Sequence, residues 1–357
     1  MTKPFCIQGQ NIGEHFPSYI VADIAANHDG DLQRAKDLIC MAAEAGANAA
    51  KFQHFEAAKI VSDYGFNNLK ERQSHQKKWQ KSVFEVYENA SVPSDWTIEL
   101  RDTCQQVGIH FFSAPYDFDA VDLLDQLGVP AHKIGSGDIT WTDILKRISA
   151  SNKPILIATG ASEMVDVIRA MDILTLAKQP VCLMQCNTNY TGTLENLRHI
   201  HLNVLKTYAS MWPDVVLGLS DHTPGHSTVL GAVALGARVI EKHFTDDKTR
   251  VGPDHAFSLN PAEWREMVVR TRELEAALGS PRKFVADNEK ETIVLQRRCL
   301  RATRDLSVGI VLQENDFEAL RPAPTDAVMP YDADKICGRT VRQPKVAGEH
   351  FMLFDFD

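Results

Sequence analysis

The sequence predicts a closed (β/α)8 barrel of the TIM type followed by a small β-rich domain. Three observations carry that prediction. Short apolar runs recur between residues 19 and 278, each followed by a segment of helical hydrophobic period. The runs are apolar nearly throughout rather than alternating, which suits parallel strands covered on both faces. Eight such units match the roughly 250 residues of a closed barrel. An open doubly wound sheet would carry a Gly-rich GxGxxG after its first strand, and this chain has AANHDG there.

Tyr19–Ala26 reads as the first strand and Leu32–Ala45 as its helix, stopped by Gly46. Ala49–Gln53 is the second strand, and its helix, Asp95–Val107, comes late. The polar stretch 57–92 between them is too long for a plain connector and is expected to be an active-site flap. Strands three to five are His110–Ala114, Ala131–Gly135 and Pro154–Ala158, with helices Ala120–Leu127, Thr142–Ala150 and Ser162–Leu174. Strands six to eight are Pro180–Gln185, Val215–Ser220 and Ala237–Lys242, with helices Leu197–Trp212, Ser227–Leu235 and Pro261–Leu278. The barrel domain is therefore placed at 1–280. Residues 281–296 read as a polar linker with one short helix, and 297–357 as the β-rich domain, its short segments spaced by Gly and Pro.

Composition narrows the function. Of 357 residues, 44% are hydrophobic and 24% charged, which excludes a collagen-like or disordered chain. The net charge is −9, and no long run of Lys or Arg occurs, so nucleic acid and an anionic membrane surface are not expected partners. No apolar stretch is long enough to span a bilayer, and the N-terminus lacks a secretory apolar region. Seven cysteines, an odd number with no CxxC pair, point to reduced thiols and a cytoplasmic location.

Barrel chemistry sits at the C-terminal ends of the strands. There the sequence places Asp23, then Lys51 and Gln53, then Lys133, Ser136 and Asp138. Thr188 and Tyr190 follow strand six, Ser220 and His222 strand seven, and Glu241 and His243 strand eight. Charged residues on buried strands are paired or used, so this concentration at one rim points to a site. His222 and His243 close adjacent strands. Singly, each reads as a satisfied polar residue; together they suit a divalent catalytic ion with open positions. Lys51 and Lys133 are open to three readings: phosphate ligands, Schiff-base nucleophiles or structural ion pairs. Beside Ser136 and Ser220 they look most like an anion cradle. Glu241 and Asp138 are either general acid/base groups or partners of the lysines. Asp254, in the turn-forming Gly-Pro-Asp after strand eight, is either structural or part of the site.

These motifs together, IADIAANHDG, AAKFQ, KIGSGD, GLSDHTPGHS, IEKHFT and GPDHAFSLNP, resemble the sialic acid synthase family from about residue 18 to the C-terminus. Such enzymes condense phosphoenolpyruvate with an N-acylated hexosamine-type aldose and release phosphate. The resemblance implies that the tail is the antifreeze-like (SAF) domain, with Leu320-Arg321-Pro322 as its arginine motif. It implies His222 and His243 as ligands of Mn2+, or else Mg2+ or Co2+. It puts Lys51, Lys133, Ser136, Thr188 and Ser220 on phosphoenolpyruvate, and Gln53, Tyr190, Asp254 and Arg321 on the sugar. Glu241, with Asp138 and Asp23, stands near the reacting carbons. A domain-swapped homodimer is implied, in which Arg321 reaches the partner's site.

Three positions depart from the family pattern: Asp23 replaces a Glu, Ala114 a Thr, and Thr191 a Pro. The first and third lie where the sugar should sit, so N-acetylmannosamine, a 2,4-diacetamido-trideoxyhexose and mannose all stay open as acceptors. A pyruvate-dependent aldolase, working through a Schiff base on Lys133 or through a metal, is one alternative. A non-catalytic carbohydrate-binding protein is the other. The synthase reading requires that the two imidazoles and two ammonium groups share one cavity.

Overall fold

In the computed structural model, residues 2–69, 79 and 81–357 are described. Contacts divide the chain into two compact units, Met1–Gly279 and Ser280–Asp357.

The first unit opens with a hairpin of β1 (Phe5–Ile7) and β2 (Gln10–Ile12), which sequence patterning does not announce. Gln8 and Gly9 turn it with positive φ at both positions, the geometry that matches strand twist in a two-residue hairpin. Its apolar side chains Phe5, Ile7 and Ile12 pack with the inward residues Tyr19, Val21, Phe112, Leu156 and Met184.

Eight parallel strands then follow: β3 (Tyr19–Asp23), β4 (Ala49–His54), β5 (His110–Pro115), β6 (His132–Ile134), β7 (Ile155–Ala158), β8 (Val181–Cys186), β9 (Val216–Asp221) and β10 (Ala237–His243). They close in sequence order, β10 pairing with β3, so the predicted (β/α)8 barrel is the observed fold. The outward faces of the strands and the inward stripes of the helices form one large core, from Ile20, Ile39 and Phe52 round to Phe244 and Trp264. Both faces of the sheet are thereby dry, which is why the strands read as continuous apolar runs.

Some boundaries differ. The first strand stops at Asp23 because the chain turns into a 3-10 segment, Ala25–His28, with Ala25 at φ 43°. The expected helix Leu197–Trp212 is divided into a 3-10 segment, Leu194–His199, and a helix, Val204–Met211, with His201 at φ 49° between them. Of the expected flap 57–92, the described parts form short helices at Ala57–Ile60, Asp63–Asn67 and Val83–Ala90. Residues 70–78 and 80 lie outside the described residues.

The second unit carries a helix, Lys290–Gln296, and an antiparallel pair, β11 (Cys299–Ala302) and β12 (Phe317–Leu320). Its own core gathers Leu300, Leu306, Leu312, Val341, Phe351 and Phe356. Lys345 is buried there but paired with Asp355 at 2.7 Å and Glu349 at 3.2 Å. No helix among the described residues is long and apolar enough to cross a membrane.

Candidate active site

At the C-terminal ends of the strands lies a cavity of about 390 Å³, within the range of small-molecule sites. Every barrel residue assigned to the site from the sequence lines it; of the three departures from the family pattern Asp23 does, while Ala114 and Thr191 are not among the lining residues. Arg321 belongs to the second unit, where its Nε donates to the Gln296 carbonyl at 2.6 Å.

Strand alternation decides which side chains reach the floor. On β10, Glu241 and His243 turn inward and Lys242 outward; on β4, Lys51 and Gln53 turn inward. The floor is a charge lattice. Lys51 Nζ lies 2.7 Å from Asp23 Oδ2 and 3.8 Å from Glu241 Oε1; Lys133 Nζ lies 3.3 Å from the same Glu241 oxygen. Ser220 Oγ donates to it at 3.2 Å. All four charged groups are nearly fully buried. Burial opposes the charge on Lys51, but Asp23 and Glu241 outweigh it and raise the ammonium's pKa.

The lattice leaves acceptors over. Asp23 Oδ2 also faces Gln53 Nε2 at 3.4 Å and His243 Nε2 at 3.5 Å, while Asp23 Oδ1 and Glu241 Oε2 are buried without hydrogen-bond partners. Most buried polar atoms in a folded protein are hydrogen-bonded, so these two cavity-lining oxygens are available to a further donor.

His222 and His243 stand with ring centroids 5.3 Å apart. Phe257 packs edge-on against both, and Tyr190 against His222 at 4.7 Å. His222 Nδ1 lies 3.0 Å from the Asn187 carbonyl, an arrangement that holds the ring's orientation. His243 Nδ1 is buried and unpartnered. Burial, then the neighbouring His222 and Lys51, hold His243 well below the usual histidine pKa, which favours the neutral ring with its one acceptor nitrogen. Among the described residues no group of three or more His, Cys, Asp or Glu side chains is arranged to hold a metal ion. Two imidazoles are ordinary ligands of a divalent ion, and His222 and His243 are the residues here that would hold one.

Further polar groups of the cavity come from the ends of β6 and β8 and the loop beyond β10. Ser136 begins a 3-10 turn, Ser136–Asp138, and its Oγ accepts from the Gly160 amide at 2.9 Å. Gly160 is required there. A Cβ on it would fall 2.5 Å from Thr188 Cγ2 and 2.9 Å from Ser136 Oγ, inside contact distance. Asp138 has a buried oxygen without a partner, and burial lifts its carboxyl to about 6 despite the charge of Lys133. Asp254 is likewise held at about 6 by burial, against an amide hydrogen bond from Ala26 at 3.2 Å. Its loop is tied down through Asp29, which pairs with Arg250 at 2.7 Å and His255 at 2.9 Å.

Sequence reasoning missed Cys186, Gly160, Tyr87 and Tyr116, all at or in the cavity. Burial alone would raise the Cys186 thiol, but hydrogen bonds with His222 and Ser136 bring it below its ordinary value. Its place as the last residue of a strand was the available signal. Tyr116 directly follows β5, and burial raises its phenol well above the usual range. Nothing in the sequence brings Tyr87, on a separate helix, to the same mouth.

The NeuB family profile matches residues 38–283, and the SAF domain profile matches 297–355. The chain is 34% identical to the N,N'-diacetyllegionaminic acid synthase of Campylobacter jejuni, over 88% of this chain and 93% of that one. It is 36% identical to human N-acetylneuraminate-9-phosphate synthase, over 77% and 75%. The crystal structure of the N-acetylneuraminic acid synthetase of Leptospira borgpetersenii, in complex with citrate, superposes with a TM-score of 0.72 at 28% identity, covering 82% of this chain and 96% of that one.

Proposed function

Because the chain belongs to the NeuB family and carries a SAF domain, we propose that it is a phosphoenolpyruvate-dependent nonulosonic acid synthase, a transferase. The acceptor is an N-acylated hexosamine-type aldose, and the reading expects a homodimer and a cytoplasmic location. One observation carries it: two buried ammonium groups, two carboxylates with unused oxygens and two imidazoles share one barrel mouth.

Lys51 and Lys133, with Ser136, Thr188 and Ser220, hold the enol phosphate and its carboxylate, so that C3 faces the open-chain aldehyde. That supplies proximity and orientation. Gln53, Tyr190 and Asp254 grip the acceptor, and Arg321 is assigned to its N-acyl group. His222 and His243 would hold a divalent ion, Mn2+ in first place, which when bound would supply Lewis-acid polarisation of the aldehyde carbonyl. The C3–carbon bond forms, and the aldehyde oxygen takes a proton to become a hydroxyl. Glu241, or Asp138, stabilises the cationic centre left at C2 and takes a proton from the water that adds there. The C2 hydroxyl then gives up its proton as the bond from C2 to the phosphate ester oxygen breaks, leaving the keto acid and releasing phosphate; of the water's two protons, one is balanced by the new hydroxyl and one by the phosphate. Asp23 holds Lys51 in place for these steps.

A Schiff-base aldolase needs a neutral, desolvated lysine. Lys133 Nζ instead lies 3.3 Å from the Glu241 carboxylate, as one partner of a buried ion pair. The test is a phosphate-release screen of N-acetylmannosamine, a 2,4-diacetamido-trideoxyhexose and mannose with phosphoenolpyruvate and Mn2+. Release dependent on one aldose supports the proposal. Turnover with free pyruvate, or trapping of pyruvate by borohydride, would replace it with the aldolase reading. Carbohydrate binding unchanged by chelation, without turnover, would leave only a binding protein.

A further inference from the structure

The strand ends that carry the two histidines are joined on the face turned away from the cavity. Asp221 and Lys242 lie directly opposite each other in the β9–β10 register. Lys242 Nζ is 2.6 Å from Asp221 Oδ2 and donates to the Thr223 carbonyl at 2.6 Å. Asp221 also accepts from the Thr223 amide at 3.2 Å, the Thr223 hydroxyl at 2.9 Å and the Thr228 hydroxyl at 2.6 Å. Both residues are almost fully buried. Unlike Asp23, Asp138 and Glu241, neither is left with a buried unpartnered atom.

The placement matters more than the pairing. His222 sits between Asp221 and Thr223, and one ammonium grips both neighbours. That same ammonium belongs to Lys242, which sits between Glu241 and His243. A single buried cation thus locks the turn that presents one imidazole to the strand that presents the other.

We infer that Asp221 and Lys242 are positioning residues for the histidine pair. They set the His222–His243 separation through the backbone without touching substrate or metal. The inference rests on the reading of that pair as a metal site. Buried ion pairs contribute little net stability compared with apolar residues of the same size, so a role in geometry accounts for this pair better than a role in stability.

The test uses the full-length protein and Mn2+ alone, titrated calorimetrically without substrates, with phosphoenolpyruvate titrated separately in the absence of metal. Lys242→Met should weaken Mn2+ binding about tenfold or more, as loss of an outer support of metal ligands typically does. Phosphoenolpyruvate binding should stay within about twofold. Should the lone buried carboxylate prevent folding, Asp221→Asn combined with Lys242→Met removes both charges and should give the same split. Thr228→Val, which takes one donor from Asp221, should give a smaller loss of Mn2+ binding in the same direction. Mn2+ binding equal to wild type in these variants would overturn the inference, as would a parallel loss of phosphoenolpyruvate binding, the mark of general loosening. Absence of Mn2+ binding in the wild type would instead remove the metal reading and this inference with it.

Discussion

Lys133→Met tests the charge lattice most directly. The substitution keeps the length and apolar stem of the side chain and deletes the ammonium 3.3 Å from Glu241. Glu241 would keep Lys51 at 3.8 Å and the Ser220 hydroxyl at 3.2 Å. Breaking a buried ion pair by removing one partner typically costs 3–5 kcal/mol. With two partners remaining to Glu241, we expect a loss near the lower end, about 3 kcal/mol, read as a fall of several degrees in melting temperature. Phosphoenolpyruvate should suffer separately. A hydrogen bond to a charged group contributes about 1.5–3 kcal/mol. Its loss corresponds to a roughly 10- to 150-fold weaker Kd. Calorimetric titration of phosphoenolpyruvate without acceptor measures that Kd, and circular dichroism checks the fold. A variant that melts lower but binds phosphoenolpyruvate within about twofold of wild type would refute the anion-cradle reasoning and leave Lys133 as a structural partner of Glu241.

Other outcomes follow from the same geometry. His222→Ala or His243→Ala should lose Mn2+ binding and phosphate release while phosphoenolpyruvate binding persists; full turnover in EDTA would reject the metal role. Burial holds Asp254 at about 6, and a raised folded-state carboxyl pKa contributes stability that is present below about pH 4 and lost as pH rises through 6. Asp254→Asn should therefore gain melting temperature over wild type above about pH 6 and lose that advantage towards pH 4, whereas a constant offset would contradict the assignment. Gly160→Ala should crowd Thr188 and Ser136, costing about 1–3 kcal/mol and weakening phosphoenolpyruvate binding; binding equal to wild type would show that the wall yields.

The barrel was legible because its strands are dry on both faces and its helices on one, and hydrophobic period records that directly. The polar strand ends were legible too, since charge on a buried strand stands out in a sequence. Boundaries were less so. Positive φ at Ala25 and His201 breaks elements where hydrophobic pattern continues, and non-glycine residues give no warning of it. The N-terminal hairpin was missed because its apolar residues find partners only inside the closed barrel.

Residue type alone determined that this chain would gather lysines, carboxylates and imidazoles on the strand ends of a parallel barrel. Only the folded structure decided how they pair: Lys51 with Asp23, Lys133 with Glu241, Lys242 with Asp221 across the barrel wall. Sequence spacing assigns each side chain to a strand face. The partners come from other strands, through closure and register, so distance, burial and the atoms left unpaired belong to the tertiary structure.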